Sequence, residues 1–64
     1  MLYLSEILLQ DYEIDNFRTL EDRIRSKALD GEMFLSMDVK PPFSDTPENW
    51  EERLEAVFTS ALRQ

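Results

Sequence analysis

A small two-layer α+β domain is the fold class that the sequence predicts, in the order strand, helix, strand, helix, with a long amphipathic helix at the C-terminal end. Three observations lead to it. Residues 46 to 64 carry apolar side chains at helical spacing, residues 32 to 39 alternate apolar with polar side chains, and Gly31, the only glycine, separates that alternation from a second helical stretch. We expect residues 1–64 to form a single domain, with residues 40–46 as a proline-containing internal linker.

The first fifteen residues fit two different structures. A helical stripe is formed by Leu4, Ile7, Leu8 and Tyr12, whereas strand alternation pairs Leu2 with Leu4, Ile7 with Leu9, and Tyr12 with Ile14. A strand over Glu32 to Val39 needs a partner for its backbone groups, and only this segment can supply one within the chain. We therefore expect a strand within residues 2 to 14.

The first predicted helix starts after Asp15 or Asn16, either of which can cap it, and runs to about Leu29. Its buried side is expected to comprise Phe17, Leu20, Ile24 and Ala28. Gly31 is expected to end the helix in the left-handed conformation.

The final helix has the clearest local signals in the chain. Thr46 can cap it, Pro47 suits the first helical position, and the following glutamates favour the positive end of the helix dipole. The apolar face is expected to contain Trp50, Leu54, Val57, Phe58, Ala61 and Leu62. Phe43, in the preceding linker, is either a hydrophobic staple under this helix or an exposed anchor for a partner.

The net charge of −7 opposes binding to nucleic-acid phosphates or anionic membranes and favours basic partners. Residues 18 to 27 are an exception, because four cations there outnumber two anions. We interpret them as a solvated helix face with Glu21 paired to Arg25; the alternative is a basic patch that docks on a second copy of the chain. A two-stranded parallel sheet would also leave open edges, which predicts a possible homodimer with a four-stranded sheet.

Most enzyme chemistry is excluded by composition. The chain contains no histidine and no cysteine, which removes imidazole bases, thiol nucleophiles and the usual zinc ligands. One glycine cannot build a phosphate-binding loop, and an EF-hand-like run at Asp11, Glu13 and Asp15 fails where Asn16 replaces the turn glycine. We predict no enzyme activity, no cofactor and no metal site.

The densest acidic group lies in the final helix and provides the functional hypothesis. Its members are Glu48, Glu51, Glu52 and Glu55, with the aromatic residues Phe43 and Trp50 nearby. We predict a cytoplasmic protein-binding module, an adaptor or inhibitor, that docks these carboxylates on a basic surface of a partner protein. The alternatives are a nucleic-acid mimic that blocks a DNA- or RNA-binding protein and a structural homodimer without a separate ligand.

Overall fold

The computed structural model describes residues 1–62, which form three helices and a two-stranded parallel sheet joined by loops. In chain order the elements are β1 (Leu2–Tyr3), α1 (Leu4–Gln10), α2 (Phe17–Leu29), β2 (Leu35–Ser36) and α3 (Trp50–Leu62). The two longer helices, α2 and α3, pack against each other. The small α+β class predicted from the sequence is therefore confirmed, although the order of the elements differs.

The strands are parallel and much shorter than the alternating sequence pattern predicts. Leu2 lies opposite Leu35 and Tyr3 opposite Ser36, and the Leu2 N–H donates to the Phe34 carbonyl at 2.9 Å. The alternation extended from Glu32 to Val39, but Met33 and Phe34 are largely exposed. Side-chain alternation alone thus overestimated the strand, because pairing stops where β1 turns into α1.

Helix α1 occupies most of the segment for which a strand was expected, so the order is strand, helix, helix, strand, helix. Leu4 and Ile7 are buried one turn apart, and Leu8 is half-buried beside them. The helical stripe in this segment therefore determines its structure, and only Leu2 and Tyr3 remain for the sheet. Tyr12, which completed the sequence stripe, lies beyond the helix and is 93% exposed.

Helix α2 matches its prediction at both ends and along its buried face. The Asn16 side chain caps it by accepting the Thr19 N–H at 2.8 Å. At the other end, Gly31 has φ of +113°, and the N–H groups of Gly31 and Glu32 donate to the carbonyls of Ala28 and Lys27. This pair of bonds is a Schellman motif, which requires the positive φ that glycine adopts readily. The buried residues are Phe17, Leu20, Ile24 and Ala28, as predicted.

Helix α3 begins at Trp50, three residues later than Pro47, where the sequence placed its first turn. A separate turn precedes it, in which the Trp50 N–H donates to the Pro47 carbonyl at 3.2 Å. The Thr46 hydroxyl does not cap the helix and instead donates to the Pro41 carbonyl at 3.1 Å. Of the predicted apolar face, Leu54, Phe58 and Ala61 are buried, but Leu62 is 41% exposed.

The core is formed by the facing sides of the helices together with Leu2 and Ile14. Leu4, Leu20, Ile24 and Leu54 have no exposed surface, and Phe43, Trp50 and Val57 pack against the cluster from its edge. Outside the core, Arg53 of α3 reaches Glu21 of α2 at 3.3 Å, with its guanidinium 5.8 Å above the Phe17 ring. Glu21 therefore links two helices, whereas the sequence suggested a pair with Arg25.

Two aspartates from the loops stabilise the starts of helices distant in sequence. The Asp38 carboxylate accepts the Ser5 hydroxyl at 2.6 Å and the Ser5 N–H at 3.1 Å, at the beginning of α1. The Asp45 carboxylate accepts the Phe17 N–H at 2.8 Å, at the beginning of α2. Helix N-termini carry unpaired N–H groups and favour negative charge, so these contacts fix both loops to the helices.

Candidate functional site

The carboxylates divide into those with internal partners and those that face solvent alone. Internal partners are found for Asp11, Asp15, Glu21, Glu32, Asp38 and Asp45. Glu6, Glu13, Asp22 and Asp30 are exposed at scattered positions without one within residues 1–62. Glu48, Glu51, Glu52 and Glu55 are likewise all exposed, and none forms an ion pair or a side-chain hydrogen bond within residues 1–62. We call these four residues the acidic surface.

The acidic surface continues along one side of α3. Glu51 and Glu55 are one turn apart, about 6 Å along the axis, and Leu62 lies seven residues beyond Glu55 on the same side. Glu51 and Glu52 belong to the first turn of the helix, where negative charge is favourable. Glu48 lies in the turn just before it. The helix dipole offsets part of the repulsion between neighbouring carboxylates.

Arg53, the only cation among these glutamates, does not neutralise them. It is two residues from both Glu51 and Glu55, which places it about 200° around the helix, and its guanidinium contacts Glu21 and the Phe17 ring. Because α3 packs on α2, the Arg53 guanidinium pairs with a residue of α2, and the four carboxylates of the acidic surface have no cation paired with them. A basic molecule that approaches this side meets uncompensated negative charge.

Phe43 and Trp50 were predicted to contribute to partner binding, and both are half-buried. Each packs against the core cluster with part of its side chain. Phe43 lies seven residues before the start of α3, so its contact with the core cluster does not decide between the two roles that the sequence suggested. The remaining exposed part of each ring is available to a partner, but the main contacts of both residues are internal.

An apolar groove, which sequence analysis missed, adjoins the acidic surface. It lies between β2 with its flanks and the C-terminal half of α3, with a volume of about 320 Å³. Its lining comprises Met33, Phe34, Leu35, Met37, Phe58 and Leu62, with Glu55 and Thr59 at the edge. Met33 is 69% exposed and Phe34 65% exposed, so the groove presents large apolar side chains to solvent. The sequence signal was the consecutive pair Met33 and Phe34, since strand alternation can bury only one of them.

A second, more polar cleft of about 430 Å³ lies between α1 and α2. Its walls carry both signs of charge, and Asp11 pairs with Arg23 at 2.7 Å on one side of it. Asp11 also accepts the Glu13 N–H at 3.2 Å, so the residues of the EF-hand-like run hold the connection between the helices. Within residues 1–62 no group of three potential metal-ligating side chains converges.

No helix up to Leu62 is both long and apolar enough to cross a lipid bilayer. Comparison of the chain with known protein families, curated proteins and solved structures gave no match.

Proposed function

We propose that this protein is a non-enzymatic binding module, an adaptor or inhibitor in the cytoplasm, that docks its acidic surface on a basic surface of a partner protein. The observation that carries the proposal is the exposure of Glu48, Glu51, Glu52 and Glu55 without an internal cation. The exposed part of Trp50, the first residue of α3, provides apolar contact beside the acidic surface, and half-buried Phe43 in the preceding segment offers a second aromatic ring. Charge complementarity of this kind mainly increases association rate and specificity.

The internal roles of other carboxylates favour a protein partner over mimicry of a nucleic acid. A mimic needs rows of free negative charge comparable to a phosphate backbone. Asp38 and Asp45 are used to cap helices, and Asp11 is paired with Arg23. The exposed carboxylates without an internal partner at Glu6, Glu13, Asp22 and Asp30 are scattered, whereas Glu48, Glu51, Glu52 and Glu55 lie together at the start of α3. This local group suits a basic site on a protein better than a long groove.

Affinity capture tests the proposal. The wild-type chain and the Glu52→Lys/Glu55→Lys variant are used as baits in lysate from the source cell, each at low and at high salt. We expect partner proteins that bind the wild type at low salt, are released at high salt and do not bind the variant. An Asp22→Lys/Asp30→Lys variant carries the same charge change at two exposed positions, one on α2 and one at its C-cap, and should behave like the wild type.

Two results would contradict the proposal. One is a partner that binds equally at both salt concentrations and to both variants. The other is the absence of any partner together with a melting temperature that rises with protein concentration, which would indicate the structural homodimer.

A further inference from the structure

We infer that the apolar groove and the acidic surface form one continuous binding site, and that its ligand is a basic segment of a partner protein carrying apolar anchor residues. This inference rests on the proposed function and specifies its partner. It adds the groove formed by Met33, Phe34 and Leu62 to the carboxylates of α3.

Continuity of the two regions follows from the spacing along α3. Glu55 is itself at the edge of the groove, and Glu51 is one turn before it on the same side of the helix. Leu62, at the other end, is seven residues from Glu55, or about 10 Å along the axis. A segment lying along this side of α3 therefore passes from negative charge to apolar surface within two helical turns.

The groove offers anchoring contacts that a purely charged surface lacks. Phe34 and Met33 are each about two-thirds exposed, and methionine adapts its shape to different apolar side chains. Buried aromatic and aliphatic contacts usually provide most of the energy of an interface, while charged edges direct the encounter. Within residues 1–62 β2 pairs with β1 alone, so one edge of this strand, whose Leu35 lines the groove, is free. An extended ligand could also bond to that edge.

Charge determines which occupant fits. A second copy that used the same groove in a symmetric dimer would bring its own Glu55 and Glu51 close to this edge, with a net charge of −7 on each chain. A segment with lysine or arginine near its apolar residues instead places opposite charges together. From the spacing, the basic residues should lie about three positions from the anchor in an extended ligand or about seven in a helical one.

Selection from a displayed library of random linear peptides on the full chain tests this inference. Enriched peptides should combine apolar residues with lysine or arginine at that separation. Phe34→Ser and Glu55→Lys should each lower the affinity of an enriched peptide by about tenfold or more. Leu9→Ser changes an apolar residue that is 75% exposed on α1, and Asp22→Lys an exposed carboxylate on α2; both are matched controls that should leave the affinity unchanged.

The possible outcomes separate this inference from the function on which it rests. Basic peptides that respond to Glu55→Lys but not to Phe34→Ser would overturn the groove and leave the acidic surface as the site. Peptides whose affinity is unchanged by Glu55→Lys would overturn both the continuous site and the role of the acidic surface. Failure to enrich any peptide, or a dimer in sedimentation that Phe34→Ser dissociates, would show that the groove does not take a basic segment.

Discussion

Asp38 and Asp45 show how single loop residues determine where helices begin. Neither belongs to a helix, yet each accepts hydrogen bonds from the first turn of one, at Ser5 and Phe17 respectively. These contacts span more than 25 positions along the chain, so no local sequence pattern could indicate them. Local caps such as Asn16 could be predicted because donor and acceptor lie within one turn.

Stability at acidic pH should depend on Asp38. The pKa of its carboxyl is lowered, first because the Ser5 hydroxyl donates to it and then because of the Ser5 N–H. A lowered folded-state pKa contributes stability above the unfolded value, and this contribution is lost as the pH falls below about 4. Asp38→Asn should therefore be less stable than wild type at neutral pH, with a smaller difference at acidic pH.

Chemical denaturation at several pH values measures this effect, and Asp22→Asn controls for the loss of one negative charge at an exposed site. A constant difference between Asp38→Asn and wild type from neutral to strongly acidic pH would show that the Ser5 contacts do not stabilise the ionised form.

Asp45→Ala should destabilise the protein by about 1 kcal/mol, because it leaves the Phe17 N–H at the start of α2 without its charged acceptor. The neighbouring Ser44 is exposed and has no side-chain hydrogen bond within the described residues, so Ser44→Ala should have little effect. Urea denaturation of both variants compares them directly. Equal stabilities would mean that Asp45 does not cap the helix in solution.

At the scale of elements, prediction succeeded where one segment contained all the determining signals. Helix α2 has its cap, its apolar stripe and its terminating Gly31 within sixteen residues, and all three behave as predicted. In α1 the leucine-rich sequence satisfied both periodicities, and the helix buries Leu4 and Ile7 of the helical stripe while Asp38 bonds to Ser5 in its first turn. For α3, the Thr46 hydroxyl donates to the Pro41 carbonyl instead of accepting a helix N–H, and the helix starts at Trp50.

The packing of α3 against α2 should provide much of the stability. Leu54 has no exposed surface, so Leu54→Ala should cost about 2–5 kcal/mol from lost contacts and a cavity. A protein of 64 residues is expected to have a total unfolding free energy of roughly 3–10 kcal/mol. The variant should therefore be largely unfolded or melt far below wild type in a circular dichroism scan.

Leu9→Ala is the control, because Leu9 is 75% exposed and its loss should change the unfolding free energy by no more than about 0.5 kcal/mol. If Leu54→Ala had the same melting temperature as Leu9→Ala, α3 would not be packed against the core at this position.

At the scale of the molecule, packing divides the charged residues between structure and surface. Arg53 and Glu21 join the two long helices, and loop aspartates cap α1 and α2, while the glutamates at the start of α3 remain free. The sequence predicted this acidic group from density alone. It could not indicate that Arg53 turns away or that Met33, Phe34 and Leu62 meet in a groove, since both depend on contacts between distant segments.

The salt dependence of partner binding tests the central claim most directly. For a partner obtained by capture, the dissociation constant is measured over a range of salt concentrations for the wild type, the Glu52→Lys/Glu55→Lys variant and the Asp22→Lys/Asp30→Lys control. We predict that wild type and control lose affinity steeply and equally as salt rises, and that the variant binds weakly with a shallower dependence. The same affinity and the same slope for all three proteins would contradict the account.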